Sequence, residues 1–175
     1  MAEARKAQNA RDILKARAKT LAAAGPAREN QAAIQTVNFH LAGETYGMEL
    51  RFVREVLPPK VPTPIPGVPA HIAGIINVRG EILSVVDLRR LFDLAGDTND
   101  ASDGHYVLVL ASPDMAFGIF ADTVLGIRSI DIDQLAPAPG ARSRYLKGIT
   151  DDGGIVLDGE KLLSDGSLIV DHTTE

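Results

Sequence analysis

The sequence of 175 residues contains no cysteine and no tryptophan, and only 5% of its residues are aromatic. The absence of cysteine excludes a disulfide framework, a thiolate zinc site and a cysteine nucleophile. Because aromatic rings are scarce, aliphatic side chains must fill most of the interior; 45% of the residues are hydrophobic and the mean hydropathy is +0.04. This composition is sufficient for one ordinary domain, or for two small lobes that share a core.

Long apolar runs are missing as well. The sequence has no stretch of about 18 apolar residues that could cross a membrane, and residues 1–9 lack the apolar region of a signal peptide. We therefore expect a soluble, cytoplasmic protein that does not insert into the membrane.

Negative charge dominates the chain except at its beginning. The net charge of −5 divides into 7 − 3 = +4 for residues 1–33 and 11 − 20 = −9 for the rest. An acidic body argues against nucleic acid as a partner, because phosphate would be repelled. The basic segment could bind an anionic surface or the acidic body of its own chain.

The motifs of common active sites are absent. There is no Gly-x-Ser-x-Gly elbow, no P-loop and no Gly-x-Gly-x-x-Gly after a strand, and no two of the four histidines have metal-ligand spacing. We expect no catalytic residue, no metal and no cofactor. The alternative is a small β-barrel enzyme or ligand-binding protein whose site only the fold assembles.

The most informative stretch that is present covers residues 74–91. Two short runs rich in β-branched residues flank Arg79, Gly80 and Glu81, and such runs are typical of strands that are buried on at least one face. Gly80 can adopt the positive φ that a tight reversal needs. The pattern predicts a β-hairpin with strands at about 72–78 and 82–87 and with Arg79 and Glu81 exposed at its tip.

The remaining segments predict an all-β body after a helical extension. Residues 10–24 are expected to form a helix between an Asn9 cap and a Gly25-Pro26 stop, with a frayed, alanine-rich tail as the alternative, followed by a linker to residue 33. Apolar residues at positions 52, 53, 56 and 57 predict a short helical turn that Pro58 ends. Elsewhere, alternating apolar residues and frequent turns predict about ten short strands, in lobes at about 34–95 and 104–171.

Several motifs in the same order resemble those of the CheW family of bacterial chemotaxis coupling proteins. The central one is Gly-Ile-Ile-Asn-Val-Arg-Gly-Glu-Ile-Leu-Ser-Val-Val-Asp-Leu-Arg, from residue 74. It is preceded by Tyr-Gly-Met-Glu-Leu and Val-Arg-Glu-Val and followed by Pro-Ala-Pro and Tyr-Leu-Lys-Gly-Ile. The resemblance spans residues 37–163 and implies two five-stranded SH3-like barrels packed side by side.

The resemblance also implies a function. CheW-like proteins are adaptors that bind the cytoplasmic tip of a chemoreceptor and the regulatory domain of a CheA-type histidine kinase, without catalysis; other CheW-like domains are further expected partners. Matching positions give a partner-binding set of Val53, Glu55, Gly74, Asn77, Arg79 and Gly80. The basic N-terminal segment has no counterpart in the shortest family members, and the turn at 151–154 is shorter than usual.

Overall fold

A computed structural model describes residues 33–94 and 104–169, which form ten strands and two short helices. The strands are β1 (Ala33–Leu41), β2 (Glu44–Glu49), β3 (Val53–Lys60), β4 (Ile72–Val78), β5 (Glu81–Val86), β6 (His105–Ala111), β7 (Ala116–Ala121), β8 (Thr123–Asp131), β9 (Leu146–Ile149) and β10 (Ile155–Leu157). The helices are α1 (Leu88–Leu91) and α2 (Gly159–Leu163), and 3₁₀ turns lie at Leu50–Phe52, Ile132–Gln134, Ala141–Tyr145 and Gly166–Leu168. The predicted helix at 10–24 lies outside the described residues. Among the described residues, no helix combines the length and the apolar character that a membrane crossing requires.

The strands form two five-stranded sheets, as predicted. One sheet has the order β8-β1-β2-β10-β9 and the other has the order β3-β6-β7-β5-β4. A backbone bridge closes each sheet on itself: Ala136, after β8, pairs with Ile149 of β9, and Thr63, after β3, pairs with Ile75 of β4. We call the two closed sheets barrel A and barrel B. Each bridge contributes two backbone hydrogen bonds between strands that would be the free edges of an open sheet.

The barrels do not coincide with the predicted lobes at 34–95 and 104–171. Barrel A takes β1 and β2 from the first half of the chain and β8–β10 from the second. Barrel B takes β3–β5 from the first half and completes itself with β6 and β7. The interleaving arises because the third strand of each half, β3 or β8, pairs antiparallel with the first strand of the other half.

The predicted helical turn at positions 52–57 is wrong. A 3₁₀ turn covers only Leu50–Phe52, and Val53 already belongs to β3. The apolar spacing fits one helical turn, but β-branched residues and long-range pairing with β6 favour the extended conformation. The two prolines of β3 fall at a register irregularity between Leu57 and Lys60, where no ladder donor is required.

One hydrophobic core runs through both barrels. It is mainly aliphatic, as expected, but four of the eight aromatic residues follow one another through it in a single row. Phe39, Tyr46, Phe92 and Tyr145 follow one another with ring centroids 5.8, 6.4 and 6.1 Å apart. Phe92 ends α1, which follows β5 of barrel B, whereas the other rings belong to barrel A or its border. This packing joins the two barrels, so the scaffold is suited to holding surface features in fixed positions.

Candidate partner-binding site at the hairpin tip

The predicted hairpin is confirmed: β4 and β5 pair antiparallel and are joined by Arg79 and Gly80 alone. Both turn residues have positive φ, 52° for Arg79 and 88° for Gly80, as a type I′ turn requires. The Asn77 side-chain oxygen accepts a hydrogen bond of 2.9 Å from the backbone N–H of Gly80. Two of the predicted site residues, Asn77 and Gly80, therefore shape the turn that presents Arg79.

The Arg79 side chain is 83% exposed and contacts Glu55 of β3, with 3.1 Å between Nη2 and Oε2. Next to this pair, Arg54 of β3 contacts Glu81 of the hairpin at 3.0 Å. The two ion pairs have opposite polarity and connect β3 to the hairpin tip. The Arg54–Glu81 pair is accessible to solvent at both ends and contributes only about 0–1 kcal/mol. Glu55 accepts from one nitrogen of Arg79, so the guanidinium keeps donors available for a partner.

Gly74 has a different position from the other predicted site residues. It is buried where barrel B closes, has φ of +151°, and a Cβ placed on it would lie 2.3 Å from the Thr63 carbonyl oxygen. Only glycine allows the Thr63 backbone to approach this closely. The structure thus gives Gly74 a task in barrel closure, at a place where it offers no side chain to a partner.

Val53 belongs to the strand that contacts the tip, but its side chain packs against the core. It is half-buried, follows the 3₁₀ turn and is paired with Leu110 of β6. The structure therefore brings together Glu55, Asn77, Arg79 and Gly80, and leaves Val53 and Gly74 in supporting positions. The sequence predicts that Arg54 and Glu81 are exposed. It does not predict that they form an ion pair, because this contact depends on how strands that are distant in the chain are placed against each other.

An apolar surface adjoins the charged tip. Val56, Val61 and Ile82 are 40%, 57% and 44% exposed. A shallow groove of about 320 Å³ runs beside the hairpin and is lined by Lys60, Val61, Thr63, Ile75, Ile76, Asn77 and Ile82. Exposed apolar side chains next to charged groups are the usual composition of a protein-binding surface. The geometry defines a rigid β scaffold with an exposed, charged hairpin tip.

Comparisons with known proteins agree with this class. The family model described as "CheW-like domain" matches residues 35–167. The chain belongs to the CheW-like family.

Individual relatives match over different shares of their length. The chain is 30% identical over 152 residues to the "Chemotaxis protein CheW" of Treponema pallidum, which covers 82% of this chain and 89% of that one. The crystal structure of the scaffolding protein TtCheW from Thermoanaerobacter tengcongensis superposes with a TM-score of 0.65 at 27% identity, covering 78% of this chain and 94% of the other. The "Chemotaxis protein CheA" of Treponema pallidum is 29% identical over 98 residues, which is 53% of this chain and 12% of that protein.

These findings confirm the predicted family and the predicted all-β fold with two five-stranded barrels. They also confirm the predicted class of function, an adaptor in chemotaxis signal transduction.

Proposed function

We propose that this chain is a cytoplasmic adaptor that binds the cytoplasmic tip of a chemoreceptor and the regulatory domain of a CheA-type histidine kinase, and has no catalytic activity of its own. Other CheW-like domains are proposed as further partners. The observation that carries the proposal is the exposure of Arg79, whose side chain is 83% exposed. It lies on a turn that is held in place by β4, β5 and the hydrogen bond from the Gly80 N–H to the Asn77 side chain. Asn77, Gly80 and Glu55 position that arginine, and Val53 and Gly74 support the strands behind it.

The conformation of Arg79 supports a binding role. A residue other than glycine with positive φ costs about 1–3 kcal/mol, and the first position of a type I′ turn favours asparagine or glycine. The fold would thus be served better by another residue. A guanidinium in this position is explained by what it offers outside the chain: several donors in a fixed plane, which suit a carboxylate or backbone carbonyls of a helical partner.

The ion pair with Glu55 is compatible with such binding. Glu55 is only 19% exposed and contacts one nitrogen of Arg79, so it restricts where the guanidinium points. A partner that approaches the tip can bind the remaining donors while its apolar side chains cover Val56, Val61 and Ile82.

The test separates binding from folding by using Arg79→Asn, which creates the Asn-Gly pair favoured in type I′ turns. We expect unchanged or slightly higher stability in urea, together with a loss of receptor-fragment affinity of about 5- to 150-fold, corresponding to roughly 1–3 kcal/mol for a charged hydrogen bond. Receptor control of kinase autophosphorylation should weaken in parallel.

Arg54→Ala is the matched control, because it removes the neighbouring ion pair with Glu81 between β3 and the hairpin and leaves Arg79 in place. We expect receptor affinity to stay within about threefold of the unmodified chain, since only an exposed pair is lost. Full receptor affinity and full kinase control in Arg79→Asn would contradict the proposal, as would equal losses in the two variants.

A further inference from the structure

A second concave surface lies on barrel A, between β8, the 3₁₀ turn that follows it and the turn that joins β9 to β10. This groove has a volume of about 240 Å³. Its lining includes Ile130, Asp131, Gln134, Leu135, Asp151 and Asp152. Ile130 and Leu135 give it an apolar floor, and the carboxylates are exposed. We call it the acidic groove.

The charge of the acidic groove is negative. Asp131, Asp151 and Asp152 line it, and Asp133 is exposed beside it. Of the described residues that line it, Arg128 alone is basic, and it is paired with Asp152 at 2.6 Å. The hydrogen bond from Thr150 and the pairing with Arg128 hold the pKa of Asp152 at about 2, so this carboxylate remains ionised at neutral pH.

The start of the described chain lies next to this groove. Ala33, the first residue of β1, pairs with Asp131 of β8, and the groove flanks the other side of β8. Adjacent strands are about 4.8 Å apart, so Ala33 lies roughly 10 Å from the groove. A flexible segment of about 15 residues has an r.m.s. span of roughly 20 Å, which is more than sufficient to reach it.

The preceding segment has the complementary charge. Residues 1–32 contain seven basic residues, Arg5, Lys6, Arg11, Lys15, Arg17, Lys19 and Arg28, and three acidic ones, so 7 − 3 = +4. Arg11, Lys15 and Lys19 recur at intervals of four, a spacing that would place them on one face of the helix predicted for 10–24. Ile13, Leu14 and Leu21 supply apolar side chains.

We propose that residues 1–32 of this chain bind the acidic groove of their own barrel A. The tether gives the segment a local concentration in the millimolar range, so an intrinsic affinity that is only millimolar suffices for substantial occupancy. The larger groove of about 450 Å³ at the other side of the entry point is less suitable, because Arg51 and Lys147 outnumber the single acid Glu49 among its lining residues. The contact lies within the chain and involves neither the receptor nor the kinase.

The absence of cysteine permits a direct test in the full chain. A nitroxide on Ala18→Cys should selectively broaden the amide signals of residues that line the acidic groove, such as Gln134 and Asp151. About 1 M salt, at which the screening length falls to roughly 3 Å, should reduce the broadening severalfold. Asp151→Lys should reduce it at low salt as well.

Asp114→Lys is the matched control, because Asp114 is also an exposed acid in a hairpin turn but lies between β6 and β7. It changes the net charge equally and should leave the broadening intact. Absence of selective broadening at the groove would overturn the proposal, as would equal effects of the two variants. Broadening that appears only when nitroxide-labelled chains are mixed with unlabelled reporter chains would assign the groove to a second copy, which also overturns it.

Discussion

Replacing Gly74 by alanine should destabilise barrel B severely, through two separate effects. The new Cβ would lie 2.3 Å from the Thr63 carbonyl oxygen and 2.8 Å from its carbonyl carbon. Relieving this clash disrupts the two backbone hydrogen bonds between Thr63 and Ile75, which measure 2.8 and 2.9 Å. At roughly 0.5–1.5 kcal/mol each they contribute about 1–3 kcal/mol. Alanine at φ of +151° adds about 1–3 kcal/mol of backbone strain.

The expected loss of unfolding free energy is therefore about 4 kcal/mol, within a range of roughly 2–6. For a domain of this size 1 kcal/mol corresponds to about 3 °C, so the Tm should fall by roughly 12 °C. The chain has no tryptophan, and urea unfolding followed by far-ultraviolet circular dichroism is the suitable measurement.

Two other glycines separate the contributions. Gly126 has φ of +122° and no atom within 4 Å of the position that an alanine methyl group would take, so Gly126→Ala measures strain alone, about 1–3 kcal/mol. Gly148 lacks a positive φ, but its Cβ would lie 2.7 Å from the Ala136 carbonyl oxygen at the closure of barrel A, so Gly148→Ala measures the clash alone. If Gly74→Ala cost no more than Gly126→Ala, the reasoning about close backbone approach would be refuted.

Two further predictions concern buried polar groups. Asp87→Asn should lower the free energy of unfolding in urea by about 3 kcal/mol, because the buried Arg89 guanidinium donates to both Asp87 carboxylate oxygens at 2.9 Å. The control is Asp158→Asn at the cap of α2, which should lower it by less than about 1 kcal/mol. Equal losses in the two variants would contradict the importance of the buried pair. Burial and a hydrogen bond to Asp165 raise the pKa of Tyr145 to about 12, and burial with a hydrogen bond to Glu44 raises that of Tyr46 further. Since these folded pKa values exceed the unfolded value of about 10, the associated stability is present below pH 10 and is lost as the pH rises through the folded values. The measurement is the tyrosinate absorbance of a Tyr106→Phe chain, in which Tyr46 and Tyr145 are the remaining tyrosines. Substantial absorbance below about pH 11 would disprove the raised pKa values.

Local features of the fold were predictable from the sequence. The hairpin is predictable because two β-branched runs flank a glycine, and its strands differ from the predicted ones by a single residue at each end of β5. The sequence predicts a helical turn in place of β3, because Phe52, Val53 and Val56 fit one helical turn as well as an irregular strand. What decided between them was pairing with β6, about 50 residues further along the chain, for which the local pattern gives no signal.

The interleaving of the barrels is also not predictable from the sequence, because it too depends on pairing between strands that are distant in the chain. β1 and β8 pair in a register that joins Val37 to Ile127, and alternating strands of equal character do not specify which partner each selects. The candidate site shows the same division. The turn of Asn77 and Gly80 follows from local sequence, whereas the contact of Arg79 with Glu55 depends on how β3 is placed against the hairpin.

The residues of the central motif have two different roles: some set the backbone conformation, and one presents an exposed side chain. Gly74 permits closure of barrel B, and Asn77 and Gly80 set the turn, so substitutions there act on the fold before they act on any partner. Arg79 differs, because its side chain is largely exposed and its positive φ makes arginine a costly choice for the turn. A residue that the fold does not need, held rigidly by residues that it does need, is the arrangement expected where selection acts on recognition by another protein.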